Sequence, residues 1–253
     1  MKTIACSFLL FLATAISCAA QSSDLLAHEF IRKDVFDAAT KAMRETHDYA
    51  KLMGSLKNVP GQGYFTPEWT TGSVILKSGT SRVIRAIRYN LAGQVIEVRT
   101  SAEDDSVQLF SPVQLSRFSL GPPKQPSSHF FEVHPYQNSL QSGGRDFFEA
   151  LNPGGELQFF LLHKIGIQPG AAQSSTGEYR ADAFIKETHL YLQRPGESKL
   201  AEFMVSAKNV VKLFSTHALE VQAYVATKGW SYTNPQHIVW MTDYYNQLVA
   251  AKK

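Results

Sequence analysis

Apolar positions change their spacing along this chain, from a near-continuous run, to intervals of three and four, to alternation, and back to intervals of three and four. Each change predicts a different element. Residues 4–16 are largely apolar, follow Lys2, and lead into Ser17-Cys18-Ala19-Ala20. A basic start, an apolar stretch too short to span a bilayer and a small-residue exit predict a secretory signal peptide over residues 1–20. Over residues 24–53, Ile31, Val35, Ala38, Ala42, Thr46, Tyr49 and Met53 recur at helical spacing, which predicts an amphipathic helix ended by Gly54. A breaker-dense loop, residues 58–63, follows, and then the aromatic group Tyr64, Phe65 and Trp69.

From Gly72 to Leu120 the period is two. Strands are predicted at 73–78, 82–90, 94–100, 107–110 and 115–120, separated by turns at Ser78-Gly79, residues 90–93 and residues 103–106. The strand after the polar connector 121–128 begins at His129 and is expected to end at Pro135. Residues 146–162 read as a hairpin around Asn152-Pro153-Gly154-Gly155, and residues 183–204 as another around Arg194-Pro195-Gly196-Glu197. A loop is expected over 168–177. Helical spacing then resumes. Ser206 is a plausible N-cap for 207–214, Gly229 a stop for 216–228 with Leu219, Tyr224 and Val225 on its stripe, and Asn234-Pro235 a helix opening. Ile238, Met241, Tyr245 and Leu248 form the stripe of that last helix. The pattern predicts an α+β protein: an N-terminal helix, a mainly antiparallel sheet of about eight strands and a C-terminal helical cap. The expected organisation is a signal peptide (1–20), a helix and loop (21–63) and a single α+β domain (64–253), β-rich to about 205 and helical over 206–253.

Composition narrows the function classes. Hydrophobic residues make up 44% and charged residues 19% of the chain, as in a folded domain. A formal charge of +3 is too weak to argue for nucleic acid as a partner. No segment after the leader is long and apolar enough to predict a transmembrane helix. The two cysteines, Cys6 and Cys18, both fall in the leader, so neither a disulfide nor thiol chemistry is expected in the exported fold. Cys18 opens an alternative: Ala15-Ile16-Ser17-Cys18 resembles a bacterial lipobox, with Ala where Leu is usual, and lipidation there would anchor the protein to a membrane.

Candidate chemistry is sparse. The eight histidines lack His-Glu-x-x-His spacing, and His129 and His134 are five apart on a strand, hence on opposite faces. There is no Gly-x-Ser-x-Gly elbow, and Gly61-Gln62-Gly63 lacks the rest of a phosphate loop. No cofactor is implied. Asp104-Asp105 reads as a solvated turn. Candidate ligand or partner contacts are Tyr64, Phe65 and Trp69, as aromatics beside a loop, and Arg82 and Arg88, which alternation puts on one strand face, with Arg85 on the other. Such a face suits an anionic glycan or lipid headgroup, although strand arginines also serve simply to cover apolar neighbours.

The order Gly72-Ser-Val-Ile-Leu-Lys-Ser-Gly79, Ile87-Arg-Tyr-Asn90, Gln94-Val-Ile-Glu97, Phe147-Phe-Glu-Ala150 and the closing Asp243-Tyr-Tyr-Asn246 resembles exported proteins of unknown function common in Bacteroidetes-type bacteria. The likeness spans residues 64–248, and the long N-terminal helix departs from it. It implies a bacterial envelope location and supplies no activity. The resulting expectation is a non-catalytic periplasmic or secreted protein that binds an envelope partner, a glycan or a lipid. The alternatives are a carrier holding a hydrophobic ligand beneath a curved sheet, and a hydrolase with acids on distant strands.

Overall fold

The computed structural model describes residues 63–99, 107–122, 125, 127–168, 183–214 and 217–252. The expected leader with Cys18, the helix at 24–53, residues 58–62 of the loop after it, the 103–106 turn with Asp104-Asp105, and residues 169–177 of the expected loop lie outside the described residues. Among the described residues ten strands run in chain order: β1 (Thr70–Leu76), β2 (Ser81–Asn90), β3 (Val95–Arg99), β4 (Val107–Phe110), β5 (Leu115–Leu120), β6 (His129–Gln137), β7 (Gly143–Ala150), β8 (Gln158–Gln168), β9 (Ala183–Gln193) and β10 (Leu200–Glu202). Three helices follow: α1 (Ala207–Leu213), α2 (Ala218–Lys228) and α3 (Pro235–Ala250).

The sheet order is β10-β9-β8-β7-β6-β5-β1-β2-β3-β4, and β10 also pairs with β6. That second pairing is parallel, Leu200 with Tyr136 and Ala201 with Gln137, and it closes β6 to β10 into a five-stranded barrel. The expected sheet of about eight strands is therefore a sheet of ten that closes partly on itself. Both short strands, β4 and β10, fall in segments expected to be strands, at 107–110 and in the second arm of the 183–204 hairpin; the parallel pairing of β10 with β6 has no signal in the sequence.

Paired aromatics explain the closure. In β7, Phe147 and Phe148 point to opposite faces, as successive strand residues must. Phe148 enters the barrel with Phe160, Leu162, Tyr191 and Leu200. Phe147 joins Tyr89, Phe118 and Phe131, with the Phe118 and Phe131 rings stacked at 4.5 Å. Tyr89 lies on β2, four strands from β7, about 19 Å away in a flat sheet; its ring centroid is 5.7 Å from that of Phe147. The sheet must roll to allow this, and it rolls about the face opposite to the barrel interior. It curls in two opposite senses, and both concave faces are filled with side chains.

Two positions show how tight the roll is. A Cβ on Gly72 would overlap the Ser119 carbonyl oxygen of β5. Pro135 does not end β6. It falls between the β5 pairing, which stops at Glu132, and the β10 pairing, which starts at Tyr136, so no neighbour on that side needs its missing N–H.

The helices cover the outer face of the barrel. Leu157, Phe159, Leu190, Leu192 and Phe203 meet Val210, Phe214, Val221, Val225, Ile238 and Met241. Local signals set the helix ends. Ser206 Oγ accepts from Asn209 N at 3.2 Å, Asn234 Oδ1 accepts from Gln236 N at 2.9 Å with Pro235 in the first turn, and Gly229 takes a left-handed φ of 63°. The α3 stripe is as expected. That of α2 is not: Val221 and Val225 are buried, whereas Leu219 is 81% exposed.

Candidate functional site

Arg88 and Trp69 were candidates in the sequence, and the structure brings them together with Tyr64. Alternation puts Ile87 and Tyr89 in the core and turns Arg88 to the other face of β2. Its guanidinium lies 4.0 Å from the Tyr64 ring centroid and 4.3 Å from that of Trp69, and Arg99 covers Trp69 at 4.5 Å. Arg88 Nε donates to Glu97 Oε2 at 2.7 Å, and Nη2 donates to the Tyr64 hydroxyl at 2.9 Å. Buried Glu97 also accepts from Asn90 Nδ2 at 2.9 Å. Burial and the nearby Glu97 charge push the Tyr64 hydroxyl pKa up, partly opposed by Arg88. Arg88 is thus compensated within the fold. Arg82 lies six residues along β2, about 20 Å away at the rise of a strand, and is not part of this cluster.

Phe65 belongs elsewhere. Its ring meets His129 at 4.8 Å, Phe131 at 5.3 Å and His163 at 5.0 Å, all edge-on. Beside it, Glu149 accepts from His129 Nδ1 at 2.6 Å and His163 Nε2 at 2.7 Å. Burial raises the Glu149 pKa, but the two histidine hydrogen bonds outweigh it and hold the carboxyl below its ordinary range. This unit ties β6, β7 and β8 together where the ladder between β7 and β8, just two residue pairs long, comes apart. The Glu149 carboxylate is shared between the two histidines, and the second ring nitrogen of His163 faces Thr188 Oγ1 at 3.5 Å. Among the described residues, no group of three or more His, Asp or Glu side chains is placed to hold a metal ion.

A depression lies at the helical end. A groove of about 760 Å³ runs between the β7–β8 turn, the β9–β10 turn and α3. Its lining includes Gly154 and Glu156 from the first turn, Arg194 and Glu197 from the second, and Asp243 and Asn246 from α3. The turns are open because Pro and Gly build them, and they expose backbone rather than side chains. Asn246 pins α3 to the first turn: its Nδ2 donates to Leu157 O at 2.9 Å, and its Oδ1 accepts from Leu157 N at 3.0 Å. Buried Asn152 accepts from Phe159 N at 2.7 Å, donates to Leu157 O at 3.2 Å and hydrogen-bonds Asp243. Burial pushes the Asp243 pKa up, and the Asn152 bond only partly offsets this. Arg194 faces Glu197 at 3.6 Å. The groove presents three carboxylates, one arginine, amides and turn backbone, an arrangement that accepts hydrogen bonds from a ligand more readily than it holds an anion.

This groove is not legible in the sequence. The hairpin turns and the Asp243-Tyr-Tyr-Asn246 segment were each visible, but nothing in their spacing places them side by side. Comparison with protein-family models, with curated proteins and with solved structures finds no match to this chain.

Proposed function

We propose that this chain is a non-catalytic, exported binding protein that takes a polar ligand in the groove between the two hairpin turns and α3. The observation that carries this reading is the groove itself, whose polar floor is held in shape by the Asn152, Leu157 and Asn246 bonds. Pre-formed clefts with a few convergent polar groups are the usual form of ligand sites. A hydrophobic carrier would need a chamber under the sheet, and Phe148, Phe160 and Tyr191 on one concave face and Tyr89, Phe131 and Phe147 on the other occupy that space. Native mass spectrometry of protein from a fresh extract, joined to a thermal-shift screen of polar small molecules, tests the reading. Wild type is expected to carry or gain a ligand that Ala250→Trp, which fills the groove from an exposed position, does not. A wild type that takes up nothing in either experiment would overturn it.

A second reading, a hydrolase, draws on one observation: Asp243, with its pKa raised, shares the groove with Glu156 and Glu197. Prolonged incubation separates the two. A bound species of unchanged mass supports binding, and its cleavage, lost in Asp243→Asn, would favour the hydrolase.

A further inference from the structure

Asp243 and Gln247 line two depressions. One is the groove, and the other, of about 380 Å³, is lined additionally by Tyr224, Trp230, Trp240 and Tyr244. The helix repeat explains the sharing. Residues four apart stack on one face, so α3 presents three parallel rows: Trp240 with Tyr244, Asp243 with Gln247, and Asn246 with Ala250. The middle row is a polar ridge with aromatic rings on one side and the turn-lined groove on the other. From Trp240 to Ala250 the surface runs about 15 Å along the helix.

The aromatic side is ordered by ring packing. Tyr224 and Tyr244 stack at 3.9 Å with planes 16° apart, Trp230 meets Tyr224 edge-on at 5.5 Å, and Trp240 lies 5.5 Å from Trp230. His237 backs Trp240 at 5.3 Å. Trp240 nevertheless remains 41% exposed. An indole braced by neighbours yet open to water offers a rigid apolar plane at little entropic cost on binding. Beside it stand hydrogen-bonding groups with three carboxylates, Asp243, Glu156 and Glu197, alongside Arg194 and, over the Tyr224 ring, Lys228, a balance that leans against an anion.

We infer that this surface binds a neutral oligosaccharide, one sugar ring stacked on Trp240 and the adjoining units hydrogen-bonded across the Asp243–Gln247 ridge into the groove. A sugar ring fits both halves. Its C–H face is apolar and suits an indole plane, and its hydroxyls donate to carboxylates and amide oxygens. The inference rests on the groove reading above and names its ligand class. Acidic polysaccharides and nucleic acids would meet the excess of carboxylates.

The test titrates the full-length exported protein with cellohexaose, laminarihexaose, xylohexaose and chitohexaose, followed by tryptophan fluorescence and calorimetry. At least one is expected to bind and to change the indole emission. Trp240→Ala should weaken that binding at least tenfold, Trp240→Phe should restore most of it, and Leu219→Ala, on exposed surface of α2, should leave it unchanged. Absence of binding by all four at millimolar concentration, or equal binding by Trp240→Ala, overturns the inference. If a non-sugar hit from the thermal-shift screen is still lost in Ala250→Trp, the groove reading survives without its glycan. If octalysine binds in place of the sugars, the acidic groove serves a basic peptide and the glycan inference fails.

Discussion

Gln94 is held with a φ of 50°, a region that side chains other than glycine seldom occupy, by bonds from its own side chain. Its Oε1 accepts from the Tyr89 hydroxyl at 2.6 Å, and its Nε2 donates to Leu91 O at 2.7 Å and His163 O at 3.1 Å. One turn residue therefore joins β2 to the β8 arm. Removing the Tyr89 hydroxyl withdraws a donor without emptying the core. Tyr89→Phe is expected to lose about 1–3 kcal/mol in denaturant unfolding, whereas Val83→Ala, at the exposed end of the same strand, should stay within about 0.5 kcal/mol of wild type. A Tyr89→Phe midpoint equal to wild type would show that this bond does not hold the turn. Gly72→Ala should cost about 1–3 kcal/mol as well, because the Ser119 carbonyl must move to admit the new methyl. The same scale shows what was legible. Tyr64, Trp69 and Arg88 stand out as residue types and do meet, but the partner that neutralises Arg88 is Glu97, on the next strand, where pairing alone puts it. Phe65, adjacent to Tyr64, points to a different unit altogether.

Glu149 acts between elements, holding β8 to β6 and β7 where their ladder ends. Its carboxyl titrates lower in the folded chain than in the unfolded one. Such a group contributes stability that is present above the ordinary glutamate range, near pH 4.3, and lost as pH falls through the lowered folded value. Glu149→Gln should therefore be less stable than wild type at about pH 7, with the deficit narrowing toward pH 3. Paired denaturation curves check this, and a deficit constant across that range would refute it. Glu132, bonded to His134, and Glu202, which accepts from Ser139 N and then from His189, are also lowered and should deepen the acid sensitivity of the wild type. Elements were the most readable level of this chain. Hairpins and helix ends rest on local signals such as Asn234-Pro235 and Gly229, which act within a few residues. The α2 stripe was misplaced because Leu219 and Val221 are both apolar, and only packing on Phe159 and its neighbours chooses between them.

At the scale of the molecule, the double roll was not legible. Phe147-Phe148 and Phe159-Phe160 read as strongly apolar strand segments, and nothing local says that alternate rings serve opposite concave faces. The groove shares that origin, since its walls come from turns and a helix that meet only after the barrel closes. The proposed export carries its own expectations. With both cysteines in residues 1–20, reducing agent should leave the thermal midpoint of a chain cleaved after Ala20 unchanged, and a drop of several degrees would reveal an unexpected disulfide. Cys18→Ser should not change membrane partitioning if cleavage follows Ala20; loss of membrane association in that variant would establish lipidation instead. Among the described residues no helix is long and apolar enough to cross a membrane.

The short parallel contact between β10 and β6 has a consequence for biosynthesis. Leu200 must find Tyr136 across more than sixty residues, and contacts of such separation form late. A ribosome that has not yet delivered β10 therefore holds a nascent chain whose barrel aromatics, Phe148 and Phe160, lack their last wall. Stopping the chain before Leu200 should yield insoluble protein rather than a smaller soluble one, and that window is when a holding chaperone would matter most.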